Sequence, residues 1–163
     1  MNATHLHLAL NHFPVVLMFF GCLLALPALF LSNPFWKRAA CLVLLAAGIF
    51  AIPAFLTGEG AEHYMEKLGV AKQAIKAHER TAKLAFGAAL LTGGVSALVL
   101  FIIVAGSRML RSAFIFLTVC AALTSGMLFY SSFEGGKITH KEIRESAPAA
   151  NSAPLPVRRD HED

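Results

Sequence analysis

Four long stretches without a charged side chain constrain this chain more than any other feature. No Asp, Glu, Lys or Arg occurs within residues 13–31, 39–58, 84–107 or 112–133. Each stretch is close to the roughly 20 apolar residues that a helix needs to cross about 30 Å of hydrocarbon. Since 56% of the 163 residues are hydrophobic, too little polar surface remains for a water-soluble protein. The sequence predicts an all-α integral membrane protein.

The four stretches also predict the order of the helices. Lipid offers no hydrogen-bond partners, so each span must be helical, and short connections make sequential helices antiparallel. We therefore expect an up-down-up-down four-helix bundle over residues 1–145, with a helical extramembrane hairpin between the second and third helices. The consecutive Gly135 and Gly136 predict that the last helix ends at Phe133 and that the chain then folds back. Residues 146–163, rich in Pro, Ala and Ser, are predicted to be a disordered tail.

Charge asymmetry predicts the orientation. The linker over residues 32–38 carries Lys37 and Arg38, the linker between the last two stretches carries Arg108 and Arg111, and neither contains an acid. Such short basic loops face the cytoplasm. We expect a multi-pass protein of a bacterial inner membrane, with both termini and all seven histidines on the periplasmic side. No Lys or Arg precedes the first stretch, so we expect a retained span and not a cleaved signal peptide.

Small residues in the third stretch predict how its helix packs. Ala85, Ala89, Gly93 and Ala97 recur every four residues, a spacing that lets a neighbouring backbone approach closely. His78 lies seven residues before Ala85, about two helical turns, and should therefore face the interior of the bundle as well. The cysteines are expected to pack as small hydrophobic residues, because each lies within an apolar stretch: Cys22, Cys41 and Cys120.

Histidines are the candidate site residues, because the predicted topology brings four of them to one rim of the bundle: His12, His63, His78 and His140. Imidazoles at the ends of different helices can hold a haem from both faces. Aromatic residues expected near the same rim could line a porphyrin: Phe13, Tyr64, Phe129, Tyr130 and Phe133. No CxxCH occurs, which excludes c-type attachment. We expect one or two b-type haems, with His12 and His78 as the first axial pair and His140 and His63 as a second pair or as hydrogen-bonding partners of the ligands.

Two alternatives remain open at this point. The same histidines, with Glu59, Glu62, Glu79 or Glu134, would suit iron or zinc, and Met65 is the one methionine near enough to favour copper. In a third interpretation the histidines only titrate at the membrane interface of a structural subunit. His5 and His7 are expected to be ordinary residues that precede the membrane.

Enzymatic chemistry finds little support in the sequence. The chain has no GxxxxGK[ST], GxGxxG or HExxH motif. Its only aspartates, Asp160 and Asp163, fall in the predicted tail, so no catalytic residue is identified. The net charge of +4 forms no basic-aromatic patch of the kind that binds nucleic acid. Electron transfer is therefore favoured over catalysis.

Several short motifs, in their order and spacing, carry a resemblance to a known family: Asn11-His12-Phe13-Pro14-Val15, Thr57-Gly58, His78, and Gly135-Gly136-Lys137-Ile138-Thr139-His140. Over about residues 8–142 the chain resembles a family of small four-helix bacterial membrane proteins known only as a domain of unknown function. Some members occur beside or fused to cytochrome c modules. The resemblance implies a role in respiratory electron transfer, with a periplasmic cytochrome c or quinol as partner, and with other membrane subunits or further copies of the chain in the bilayer.

Overall fold

The fold is helical throughout the part of the chain that the computed structural model describes, residues 3–68, 70, 72–106 and 110–140. Its six helices are α1 (Ala3–Leu10), α2 (His12–Ala28), α3 (Pro34–Leu56), α4 (Gly58–Lys67), α5 (Lys72–Val104) and α6 (Leu110–Thr139). Four helical segments are long and apolar enough to cross a membrane: His5–Ala28, Pro34–Lys67, Lys72–Val104 and Leu110–Ile138. The predicted all-α membrane fold is confirmed. The predicted tail over residues 146–163 lies outside the described residues.

The four long helices form a closed ring. Helix α2 packs against α3 and α6, and α5 packs against the same two helices. Small residues fill much of the core, as with Ala25, Ala47 and Ala89, whereas many large apolar side chains lie on the outside. This distribution suits a bundle in lipid, where association depends on close packing and not on hiding apolar surface from water. The helical hairpin expected between the second and third spans is also present, as α4 and the first turns of α5.

Helices α3 and α5 make the closest backbone approach. A Cβ atom built on Gly48 would lie 3.0 Å from the Cα of Gly93 and 3.1 Å from the carbonyl oxygen of Ala89. Beside this contact the hydroxyl of Ser96 donates a hydrogen bond of 2.6 Å to the carbonyl oxygen of Cys41. Small residues and buried hydroxyls thus hold α5 against α3.

The small-residue face of α5 is as predicted for most of its length. Ala85, Ala89 and Gly93 are buried, and His78 is partly buried on the same side of the helix. Ala97, however, is exposed, and Ser96 takes its place in the interior. A four-residue step overshoots a helical turn by about 40°, so three steps rotate Ala97 off the buried face.

The cysteines pack as expected. Cys22 and Cys41 are buried and Cys120 is partly buried, and all three are free thiols. Cys22 and Cys41 belong to the buried core, which is rich in alanine and where a small apolar side chain fits.

Proline explains why the first span begins as two helices. Pro14 has no N–H to donate to the carbonyl of Leu10, which lies four residues earlier. Helix α1 ends at Leu10, Asn11 follows as a turn residue, and α2 starts at His12. The short helix α1 contacts α3 and α4. It is therefore part of the bundle, and the sequence did not predict it as a separate element.

The predicted end of the last helix at Phe133 is wrong. Helix α6 continues through Gly135 and Gly136 to Thr139, because glycine in a helix costs only about 1 kcal/mol relative to alanine. Across the glycines, Lys137 Nζ donates a 2.7 Å hydrogen bond to Glu134, whose side chain is almost wholly buried. The extra turn and a half carries His140 to the end of the bundle without a reversal of the chain.

The approach of α3 to α5 predicts that Gly48→Ala destabilises the protein. The cost of overpacking, about 1–3 kcal/mol, exceeds the gain in helix propensity, at most about 1 kcal/mol. Thermal unfolding in one detergent, followed by circular dichroism, measures the difference. The matched control is Gly94→Ala, because a Cβ at Gly94 meets no described atom within 4 Å. Equal midpoints for the two variants would contradict the close approach.

Candidate functional site

A cavity of about 760 Å³ opens at the end of the bundle where α3 gives way to α4 and α6 ends. Four histidines line it: His7, His12, His78 and His140. Three of these are among the four that the sequence singled out. The fourth candidate, His63, is exposed on α4 and does not line the cavity. The structure therefore brings together His12, His78 and His140, adds His7, and leaves His63 outside.

His78 is held by the backbone of α6. Its Nδ1 lies 3.0 Å from the carbonyl oxygen of Ser131. A carbonyl can only accept, so Nδ1 carries a proton, and in the neutral imidazole Nε2 then keeps the lone pair. The ring rests on Gly135, where a Cβ would lie 3.1 Å from Cε1 and 3.2 Å from Nδ1 of His78. Gly135 lies one helical turn after Ser131, and its missing side chain leaves that carbonyl accessible to the imidazole.

His7 is held in the same way by the end of α3. Its Nδ1 lies 2.9 Å from the carbonyl oxygen of Ala54 and 3.3 Å from the hydroxyl of Thr57. The Thr57 hydroxyl donates to the carbonyl of Pro53 at 2.8 Å and can accept from the imidazole. Nδ1 of His7 is again the protonated nitrogen, and Nε2 keeps its lone pair. The carbonyls involved are among the last four of α3, where a helix runs out of N–H groups; the carbonyl of Pro53 also accepts the backbone N–H of Thr57 at 3.1 Å.

Sequence reasoning missed His7 because the residues before the first apolar stretch gave no sign of a folded helix. The signal lies in the second span instead. Thr57-Gly58 ends α3 with a hydroxyl and a position without a side chain, and a Cβ at Gly58 would lie 3.5 Å from Cε1 of His7. A polar turn at the end of an apolar helix needs a partner for its carbonyls, and His7 is that partner.

His12 and Asn11 stand beside these two anchored histidines. His12 lines the cavity with an exposed side chain. His7 interacts electrostatically with both His78 and His12, so the three imidazoles share one neighbourhood. The side-chain oxygen of Asn11 is buried and has no hydrogen-bond partner among the described residues. An unsatisfied buried amide in a cavity wall is available to a ligand.

The aromatic wall of the cavity differs from the prediction. Phe55 and Phe86 line it, stacked with ring centroids 4.3 Å apart and planes within 3° of parallel. The aromatic residues that we expected to line a porphyrin do not line this cavity: Phe13, Tyr64, Phe129, Tyr130 and Phe133. Phe13 instead stacks on Phe50. Helical rotation explains the difference, because their proximity to the rim along the chain did not fix the direction in which they point.

Charged side chains surround the mouth of the cavity. Glu59, Glu62 and Glu79 line it, and Glu79 is paired with Lys83. Glu134 is absent from the lining and is paired with Lys137 instead. Over the described ranges, no group of three or more His, Cys, Asp or Glu side chains is arranged to hold a metal ion. The arrangement can offer imidazole nitrogens from separate helices to one ligand inside an apolar chamber.

The seat of His78 on Gly135 predicts a specific effect of Gly135→Ala. The added methyl group should displace the imidazole and lengthen its hydrogen bond to Ser131, while α6 stays helical. NMR of protein labelled with ¹⁵N-histidine reports the proton on Nδ1 of His78, and circular dichroism checks the helix. The control is Gly136→Ala, because a Cβ there meets no described atom within 4 Å. An unchanged His78 signal in Gly135→Ala would show that the ring does not rest on Gly135.

Comparison with known proteins gives a family but no characterised relative. No curated protein and no solved structure is significantly similar to this chain. One family model matches residues 3–142 and is described as "Predicted membrane protein (DUF2231)". The match covers all six helices and every histidine that lines the cavity. The chain belongs to this family of predicted membrane proteins, DUF2231.

Proposed function

We propose that the protein is a membrane-embedded b-type cytochrome that binds haem in the histidine-lined cavity and exchanges single electrons. The observation that carries this proposal is the shared arrangement of His7 and His78. Each imidazole donates Nδ1–H to a backbone carbonyl. That hydrogen bond fixes the tautomer and orientation that a metal-binding imidazole needs and makes Nε2 more basic.

The cavity suits such a group in size and chemistry. Its volume of about 760 Å³ falls within the roughly 300–1,000 Å³ of ligand and cofactor pockets. His78 and His7 would hold the iron, and His12 and His140 would act as a second pair or as hydrogen-bonding groups around it. His7 would thus take the place of His12 in the pair of iron ligands expected from the sequence, since no hydrogen bond positions the His12 ring among the described residues. Phe55 and Phe86 would exclude water from one wall.

Haem supplies reversible one-electron chemistry whose potential depends on axial ligands and burial. The residues of the chain would set that potential through the two anchored imidazoles and the apolar wall. The carboxylates at the mouth would favour the oxidised, more positive state of the bound group.

Orientation and partners follow from the position of the cavity. Lys37 and Arg111, in the first turns of α3 and α6, lie at the opposite end of the bundle from the cavity, and basic residues that flank spans in this way face the cytoplasm. The cavity would then open towards the periplasm in a bacterial inner membrane. A site at one rim cannot carry an electron across the bilayer alone. The partner would be a periplasmic cytochrome c, or a quinol whose hydroxyl donates to the orphan oxygen of Asn11, within a complex or a homo-oligomer.

Absorption spectra of detergent-purified protein, oxidised and then reduced with dithionite, test the proposal. We expect a Soret band that shifts on reduction and split visible bands, as a low-spin haem gives. His78→Ala and His7→Ala should each weaken haem binding by more than about tenfold, since even the loss of a ligand's hydrogen-bonding partner costs roughly 10–100-fold. His63→Ala is the matched control, because His63 lies outside the cavity, and it should bind haem normally.

Two results would contradict the proposal. A featureless spectrum from protein expressed with ample haem would exclude a b-type cytochrome. Haem binding that survives in both His78→Ala and His7→Ala would exclude these two ligands, together with the His12–His78 pair expected from the sequence. The same measurement on His12→Ala and His140→Ala would then test the other two histidines that line the cavity.

A non-haem transition metal is the second candidate for the same cavity. The observation that favours it is the presence of Glu59, Glu62 and Glu79 in the lining together with the histidines, since imidazole and carboxylate together suit iron or zinc. A colourless protein with stoichiometric zinc or iron by elemental analysis, lost in His78→Ala, would establish this alternative.

A further inference from the structure

A second cavity lies at the opposite end of the bundle from the histidines. It has a volume of about 560 Å³ and is lined by Lys37 and Arg111 together with apolar residues that include Leu29, Phe30, Leu110 and Phe114. We refer to it as the basic cavity. It is formed where α2 ends, α3 begins and α6 begins, so it opens where one end of the bundle meets the membrane interface.

The positive charges of the basic cavity have no carboxylate nearby in the sequence. Residues 1–58 and 80–133 contain no Asp or Glu. Lys37 Nζ donates a 2.7 Å hydrogen bond to the carbonyl of Leu31 and keeps two further N–H donors. The ion pairs of the described residues, Glu79–Lys83 and Glu134–Lys137, both lie towards the opposite end. Lys37 Nζ also lies 5.7 Å from the centre of the Phe114 ring. Among the residues that the structure describes, neither Lys37 nor Arg111 has a carboxylate partner, so both can contribute to binding an anion.

The backbone adds to this positive field. Helices α3 and α6 both start at this end, at Pro34 and Leu110, and a helix N-terminus carries a partial positive charge. The side chain of Asn33 caps α3 by accepting a 2.9 Å hydrogen bond from the N–H of Phe35. Side chains and helix dipoles thus favour negative charge at the same place.

The residues around the basic cavity are of the kind that contact lipid. Phe30, in its wall, is 88% exposed. Phe35 and Trp36 lie close by in sequence with their rings edge to face at 5.6 Å, as aromatic residues do at the level of lipid headgroups. A ligand that binds here would place its anionic group beside these apolar side chains. A phospholipid has acyl chains that can contact them, whereas a free phosphate has none.

We propose that the basic cavity binds the headgroup phosphate of an anionic phospholipid, with Lys37 and Arg111 as its ligands. Arg111 can meet phosphate oxygens with two N–H groups, and Lys37 supplies a point charge. The acyl chains would lie along Phe30 and the outer surface of the bundle. This site is separate from the histidine cavity and does not depend on the function proposed for it.

Native mass spectrometry of the full chain, released from detergent containing limiting phospholipid, tests the proposal. We expect phosphatidylglycerol to be retained in preference to phosphatidylcholine with the same acyl chains. Lys37→Gln and Arg111→Gln should each weaken retention about fivefold and the double variant roughly thirtyfold, as expected for about 1 kcal/mol per basic residue. Arg111→Lys, which keeps the charge, should retain more lipid than Arg111→Gln.

The matched control is Arg38→Gln. Arg38 is next to Lys37 on α3 and is exposed, but it does not line the basic cavity, so its loss should leave lipid retention unchanged. If Arg38→Gln lost as much lipid as the cavity variants, the basic charge of this end of the bundle would hold the lipid without a defined site. Equal retention of both lipids, or displacement of the lipid by glycerophosphoglycerol or inorganic phosphate at equal concentration, would overturn a lipid site. Circular dichroism of each variant confirms that a loss of lipid is not a loss of fold.

Discussion

The rest of this structure depends on one constraint: backbone carbonyl groups within a membrane must find their hydrogen-bond partners in the protein itself. In hydrocarbon a carbonyl oxygen has only protein partners, and a helix leaves its last four carbonyls without one. At the end of α3 the partners include the backbone N–H and hydroxyl of Thr57 and the imidazole of His7. In α6, the imidazole of His78 donates a hydrogen bond to the carbonyl oxygen of Ser131, which lies in the interior of the helix. These hydrogen bonds to backbone carbonyls orient the imidazoles of His7 and His78 at the same end of the bundle.

Because glycine has no side chain, it allows both the close packing of helices in the bundle and the position of an imidazole at the site. Gly48 and Gly93 bring the backbones of α3 and α5 together, and the same packing sets Phe86 of α5 against Phe55 near the end of α3. Gly135 then lets the His78 ring lie against α6. The same property that permits close packing in a bundle therefore sets how the imidazoles can be presented to a ligand.

Sequence reasoning was accurate where one physical effect dominates. Charge-free length predicted the spans. The four-residue spacing of Ala85, Ala89 and Gly93 predicted the buried face of α5, and the position of His78 two helical turns before Ala85 predicted that it faces inward. It failed where two effects compete. Gly135 and Gly136 favour a break by conformational freedom, yet tertiary contacts hold them in α6. The lining aromatic residues, Phe55 and Phe86, were missed because the rotation of a helix is set by its neighbours.

By itself the sequence determined that the chain is a four-span helical membrane protein, and it predicted that the histidines gather at one end and the acid-free basic segments at the other. Composition and charge suffice for this, because the cost of placing charge in hydrocarbon is large and local. Only the tertiary structure decided that His7 belongs to the cavity, that His63 does not, and that Lys37 and Arg111 share a second one. These are contacts between helices distant in sequence, and they depend on packing that no single stretch of sequence encodes.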